Sequence, residues 1–142
     1  MPTKYGSAYS DTDPLKKAPG TSVNAGTRHF RNVFNFADAG VGGTQNPLCV
    51  AKLPAGVVPK GFTISSDQNI SATNITVGNA TTAAKYVTAT AGPAANATKR
   101  CDLTIATLAA DPSTDTEEVL LTPSANWPAA GTLIVDFIVT KR

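Results

Sequence analysis

The chain has 142 residues, enough for one domain with an ordinary hydrophobic core, and its formal charge of +2 is too small to imply nucleic-acid binding. Hydrophobic residues make up 42% but charged ones only 15%, below the roughly 25% of ordinary soluble domains, and Thr, Ala, Asn and Gly fill the gap. That mixture suits strands and turns, because the Glu, Lys, Gln and Arg that usually cover helix surfaces are scarce.

Residues 1–26 mix Gly, Pro, Ser and Lys with Tyr5 and Tyr9 and show neither helical nor strand period, so they read as an extended N-terminal arm. Charge is uneven along the chain. Residues 1–31 carry Lys4, Lys16, Lys17, Arg28 and Arg31 against Asp11 and Asp13, a balance of +3, which leaves −1 for the remainder. A basic lead segment of this kind suits an acidic protein surface, with the tyrosines supplying contact area at little entropic cost. No apolar stretch of signal-peptide length follows Met1, and no run approaches the roughly 20 apolar residues of a transmembrane helix. The expectation is a soluble protein made in the cytoplasm, without membrane contact.

From Thr27 the texture changes. Arg28, Phe30, Asn32, Phe34 and Phe36 share one parity, opposite His29, Arg31, Val33 and Asn35, which predicts a first strand. A second covers 47–53, and Pro54-Ala55-Gly56 turns the chain into a third at 57–65. Strands follow at 70–77, closed by Gly78-Asn79, and at 85–90. After Gly92-Pro93 and a polar stretch at 96–100, the alternation of Cys101, Leu103, Ile105 and Thr107 predicts a sixth strand, while the alanines at 106–110 leave room for a helical turn. A polar loop at 111–116 leads to a seventh at 117–122. The eighth, 132–140, is apolar on both faces, with Leu133, Val135, Phe137 and Val139 opposite Ile134, Asp136 and Ile138. About eight short strands near ten-residue spacing, with no long helix and no fixed-period repeat, predict an all-β fold: a single β-sandwich or jelly-roll-like domain over 27–142.

Catalytic constellations are sparse. His29, the single histidine, lies within the first strand and lacks the context of a catalytic base. Asp111, Asp115, Glu117 and Glu118 form the densest acidic group, but Pro112 and Ser113 mark a solvated turn and no calcium-loop pattern is present. Gly40, Gly42 and Gly43 read as a flexible loop, since no phosphate-binding Lys follows them. Cys49 and Cys101 lack metal-ligand spacing and are expected to be buried free thiols. Asn69, Asn74, Asn79 and Asn96 each begin an N-x-[ST] tripeptide, a chance product of Asn- and Thr-rich sequence. No cofactor or metal is expected, and no enzymatic activity.

Three segments carry a family likeness. Leu53-Pro54-Ala55-Gly56, Thr76-Val77-Gly78-Asn79-Ala80 through Ala84-Lys85-Tyr86, and the run from Pro128 to Asp136 resemble a recurring pattern in small tailed-bacteriophage head decoration, or capsid cement, proteins. The likeness covers residues 47–142. It implies a virion structural protein, often a homotrimer, that sits on the capsid exterior and clamps neighbouring major capsid subunits. On that reading Lys4, Tyr5, Tyr9, Lys16 and Lys17 of the arm are the candidate capsid contacts. The apolar outer positions Ile134 and Ile138 are either buried in the sandwich, the preferred reading, or part of an oligomer interface. Two alternatives stay open: a tail, neck or fibre-associated virion protein, and a carbohydrate-binding sandwich with Trp127 and Tyr86 as stacking platforms.

Overall fold

The structure, a computed structural model, describes residues 27–141. The proposed arm contacts Lys4, Tyr5, Tyr9, Lys16 and Lys17 therefore lie outside the described residues. The described residues form eight strands: β1 (Thr27–Asn35), β2 (Leu48–Leu53), β3 (Val57–Ser66), β4 (Asn74–Gly78), β5 (Val87–Ala91), β6 (Ala97–Cys101), β7 (Glu117–Pro123) and β8 (Thr132–Lys141). One short helix, α1 (Ile105–Ala109), interrupts them between β6 and β7.

The strands form two four-stranded antiparallel sheets, ordered β1-β8-β3-β6 and β2-β7-β4-β5. The pairings β1 with β8, β2 with β7, β3 with β6 and β4 with β5 are those of one long hairpin, folded at the β4–β5 turn and rolled into two layers. That is the jelly-roll arrangement of a β-sandwich, as the strand spacing predicts. Period-2 alternation supplies the core: Leu133, Val135, Phe137 and Val139 of β8 face Val50, Val119, Leu121, Ile75 and Val77 of the opposite sheet, all fully buried. Phe137 anchors the aromatic centre, with Phe62 at 6.2 Å and Tyr86 edge-on at 5.4 Å.

One end of the sandwich is closed by Trp127, which stacks on Phe36 at 5.9 Å and donates its indole N–H to the Asn46 carbonyl at 3.1 Å. Gly42 and Gly43 pack beneath this pair. A Cβ at Gly42 would lie 1.8 Å from the Phe36 carbonyl oxygen, and the Gly43 N–H donates to the Trp127 carbonyl at 2.9 Å. The expected flexible glycine loop is thus a packed, hydrogen-bonded turn, in which Gly42 fits against these carbonyls only because it has no side chain and Gly43 adopts a φ of 68°.

The sixth strand differs from the expectation of 101–107. It occupies 97–101, and the chain then turns into α1. Thr104 caps the helix by accepting from the Thr107 N–H at 3.2 Å, and both threonine hydroxyls donate to the Lys85 carbonyl, at 3.0 and 2.8 Å. Ile105, which the alternation placed in a core, is instead 79% exposed. As an edge strand, β6 buries only Cys101 fully, so its sequence carries almost no apolar signal.

Candidate interaction surface

The outer face of the β1-β8-β3-β6 sheet is a grid fixed by register. Across one row lie Val33, Ile134, Ser65 and Thr98; across the next Arg31, Asp136, Thr63 and Arg100; across the third His29, Ile138 and Gly61. Ile134 and Ile138 therefore share this face, two positions either side of Asp136. β8 is central within its sheet, but among the described residues no second layer covers these outward positions: Ile134 is exposed and Ile138 half-buried. The preferred expectation that both apolar faces are buried in the sandwich holds for the inner face alone.

Asp136 is tolerated between two isoleucines because Arg31 reaches across from β1. Its Nε and Nη2 donate to the two carboxylate oxygens at 2.9 and 2.7 Å, a bidentate pair that lifts the guanidinium pKa above its usual value through that hydrogen bond. Gly61 leaves the space beside Ile138 open; a Cβ there would sit 3.7 Å from Ile138 Cδ1 and 3.9 Å from Arg100 Nη2. At the other end of the face an open groove of about 270 Å³ is lined by Ser65, Asn96, Thr98 and Ile134. Ser65 and Thr98 share a hydroxyl hydrogen bond at 2.7 Å. The surface carries Val33 and Ile134 toward one end, Ile138 toward the other, and Arg31, Asp136 and Arg100 between them.

Two features escaped the sequence reading. Val33 is 56% exposed beside Ile134, where strand parity gives its direction but not the absence of a covering layer. Ile105 and Leu108 project from α1 at the opposite end of the sandwich from Trp127, and only recognition of the helix could have shown them.

The remaining sequence candidates are placed as follows. His29 is exposed on the outer face opposite Ile138. Glu117 accepts from Lys85 Nζ at 2.8 Å and from the Tyr86 hydroxyl, while Glu118 pairs with Lys52 at 3.4 Å. Asn69 and Asn79 spend their side-chain oxygens on nearby backbone N–H groups, of Ser71 and of Thr81 and Thr82. Cys101 is buried as expected, but Cys49 is exposed on β2, because a bulge between Cys49 and Ala51 shifts the register. The two thiols lie on edge strands of different sheets and are both free. Burial raises the Cys101 thiol pKa, while partial desolvation at the strand surface, followed by the Glu118 carboxylate, raises that of Cys49. Trp127 and Tyr86 are 2% and 4% exposed, so neither ring is the stacking platform that the carbohydrate alternative assigned to it. No helix among the described residues is long and apolar enough to cross a membrane.

No protein-family model matches the sequence, and no curated protein does. The fold, by contrast, has solved counterparts. A chain in the capsid of Ralstonia phage GP4 superposes with a TM-score of 0.56 over 82% of this chain and 83% of its own, at 15% identity. One in the acid-stable capsid of Helicobacter pylori bacteriophage KHP30 gives 0.54 over 80% and 86%, at 14% identity. One in the capsid asymmetric unit of cyanophage Pam1 gives 0.53 over 82% and 84%, at 20% identity. At these identities the likeness is one of fold.

Proposed function

We propose that this chain is a structural component of a bacteriophage particle, and within it a head decoration or cement protein bound to the outer surface of the capsid. The observation that supports this reading is the shared fold with chains from three phage capsids, over at least four-fifths of each chain. The resemblance of residues 47–142 to decoration proteins points the same way. Its action is noncovalent: a protein that binds assembled shell but not dissociated subunits of the major capsid protein stabilises the shell by mass action. The rigid jelly roll presents a preformed surface. The N-terminal segment, through Lys4, Tyr5, Tyr9, Lys16 and Lys17, adds contacts across a subunit boundary at high effective concentration. Copies associate, as a trimer, through the outer face that carries Ile134 and Ile138.

The test is co-sedimentation with shells assembled from the major capsid protein of the same genome. The full chain is expected to pellet with shells and raise their melting temperature. Removal of residues 1–26 is expected to leave the sandwich folded by circular dichroism and weaken binding at least tenfold. Equal binding by the truncated chain would remove the role assigned to the five arm residues, and no binding by the full chain would remove the cement role.

A further inference from the structure

The four edge strands are not alike. β1 and β6 bound one sheet, β2 and β5 the other. An edge presents unpaired N–H and C=O groups that template another strand, so edges are commonly shortened, bulged or charged. β2 carries the bulge between Cys49 and Ala51; β5 and β6 have five residues each, and β6 adds Lys99 and Arg100. β1 has nine residues in unbroken register with β8 and contains no Pro and no bulge; Arg28 and Arg31 are its charged side chains.

The pairing pattern identifies the groups that face outward. The Phe36 N–H donates to the Gly131 carbonyl at 2.8 Å, continuing the β1–β8 register by one step. Antiparallel pairs alternate between bonded and unbonded, so Phe34, Asn32 and Phe30 turn their backbone groups to β8. The N–H and C=O of His29, Arg31 and Val33 point away from it, and among the described residues no strand pairs with that side. Side chains add two further signals. Phe30 and Phe34 are only half-buried against the core margin, and β1 carries arginines but no carboxylate.

We infer that the free edge of β1 takes an extended segment of the major capsid protein as a ninth strand, with apolar side chains on the parity that covers Phe30 and Phe34 and acidic ones beside Arg31. This rests on the cement reading above. Backbone pairing supplies the affinity and the alternating side chains the selectivity, as in strand addition generally. Arg31 stays available to a second carboxylate because its guanidinium, though bonded to Asp136, is 67% exposed.

The experiment uses the full chain and empty shells of the major capsid protein. Val33→Pro deletes one outward N–H without touching the β8 ladder, a position where edge proline is tolerated; it is expected to melt within a few degrees of wild type and bind shells at least tenfold more weakly. His29→Glu, which adds no backbone constraint, is expected to weaken binding about tenfold, and His29→Lys to leave it unchanged or tighter. If wild type binds and both Val33→Pro and His29→Glu bind equally well, the edge inference fails while the cement reading stands. If wild type does not bind, both fail. If wild type self-associates and Val33→Pro is monomeric while Val33→Ala, which trims the side chain and keeps the N–H, still self-associates, a second copy occupies the edge and the inference is overturned.

Discussion

At the residue scale, the two sheets are tied together by side chains whose roles depend on irregularities in the strands. The β2 bulge leaves the Val50 carbonyl outside the regular ladder, and Asn32 of β1 donates its side-chain amide to it across the gap between sheets. Asn32→Ala leaves that carbonyl without its donor and is expected to cost about 1–3 kcal/mol in urea denaturation; an unchanged midpoint would show that water replaces the bond. The bulge itself was not legible, since Leu48-Cys49-Val50-Ala51 reads as an ordinary apolar run, and with it went the exposure of Cys49. Cys101 gives a pH signature. Burial raises its pKa, so the folded state holds the thiol proton more tightly than the unfolded chain. The resulting stability is present below the ordinary thiol range near ~8.5 and is lost as pH rises through the raised folded value. Melting temperature followed from pH 7 to 10 should therefore fall less steeply in Cys101→Ala than in wild type, and parallel curves would contradict the assignment.

At the element scale, strands with a full apolar face announced themselves, and of the edge strands β1, β2 and β5 were legible while β6 was not. β8 was legible because Leu133, Val135, Phe137 and Val139 all point into the core, whereas β6 was misplaced because Lys99 and Arg100 answer to an edge position. The turns were legible for a different reason. Gly56 adopts a φ of 85°, and a Cβ at Gly78 would lie 2.1 Å from the Thr82 carbonyl oxygen, so the residues that carry the decoration-protein likeness are partly those the backbone path requires. The outer face of β8 was only half legible. Its pattern gave Ile134 and Ile138 as outward, but nothing in one strand's sequence says whether another layer covers them. Ile138→Asp tests the oligomer assignment: the variant should stay folded, with Arg100 close enough to accompany the new carboxylate, and sediment as a monomer. A folded Ile138→Asp that keeps the wild-type oligomeric state would remove Ile138 from the interface.

At the scale of the whole molecule, the all-β sandwich was legible from strand spacing, but its roll was not. Pairing β1 with β8 and β2 with β7 joins the two ends of the chain, and such long-range pairing leaves no local mark beyond strand length. The rolled arrangement brings the long, regular edge of β1 next to the face bearing Val33, Ile134 and Ile138, so one side of the molecule holds both an open backbone edge and exposed apolar contact area. β1 also follows directly on the basic N-terminal segment, which makes this side the one from which a subunit-spanning contact would start. The central claim is that the open edge of β1 and the N-terminal segment attach the protein to the outside of a phage head, while copies associate through the neighbouring face. Electron cryomicroscopy of particles carrying the protein tests it most directly. The account predicts jelly-roll density on the outer shell above junctions between major capsid subunits, with the β1 side turned toward the shell; density confined to the tail or neck would contradict it.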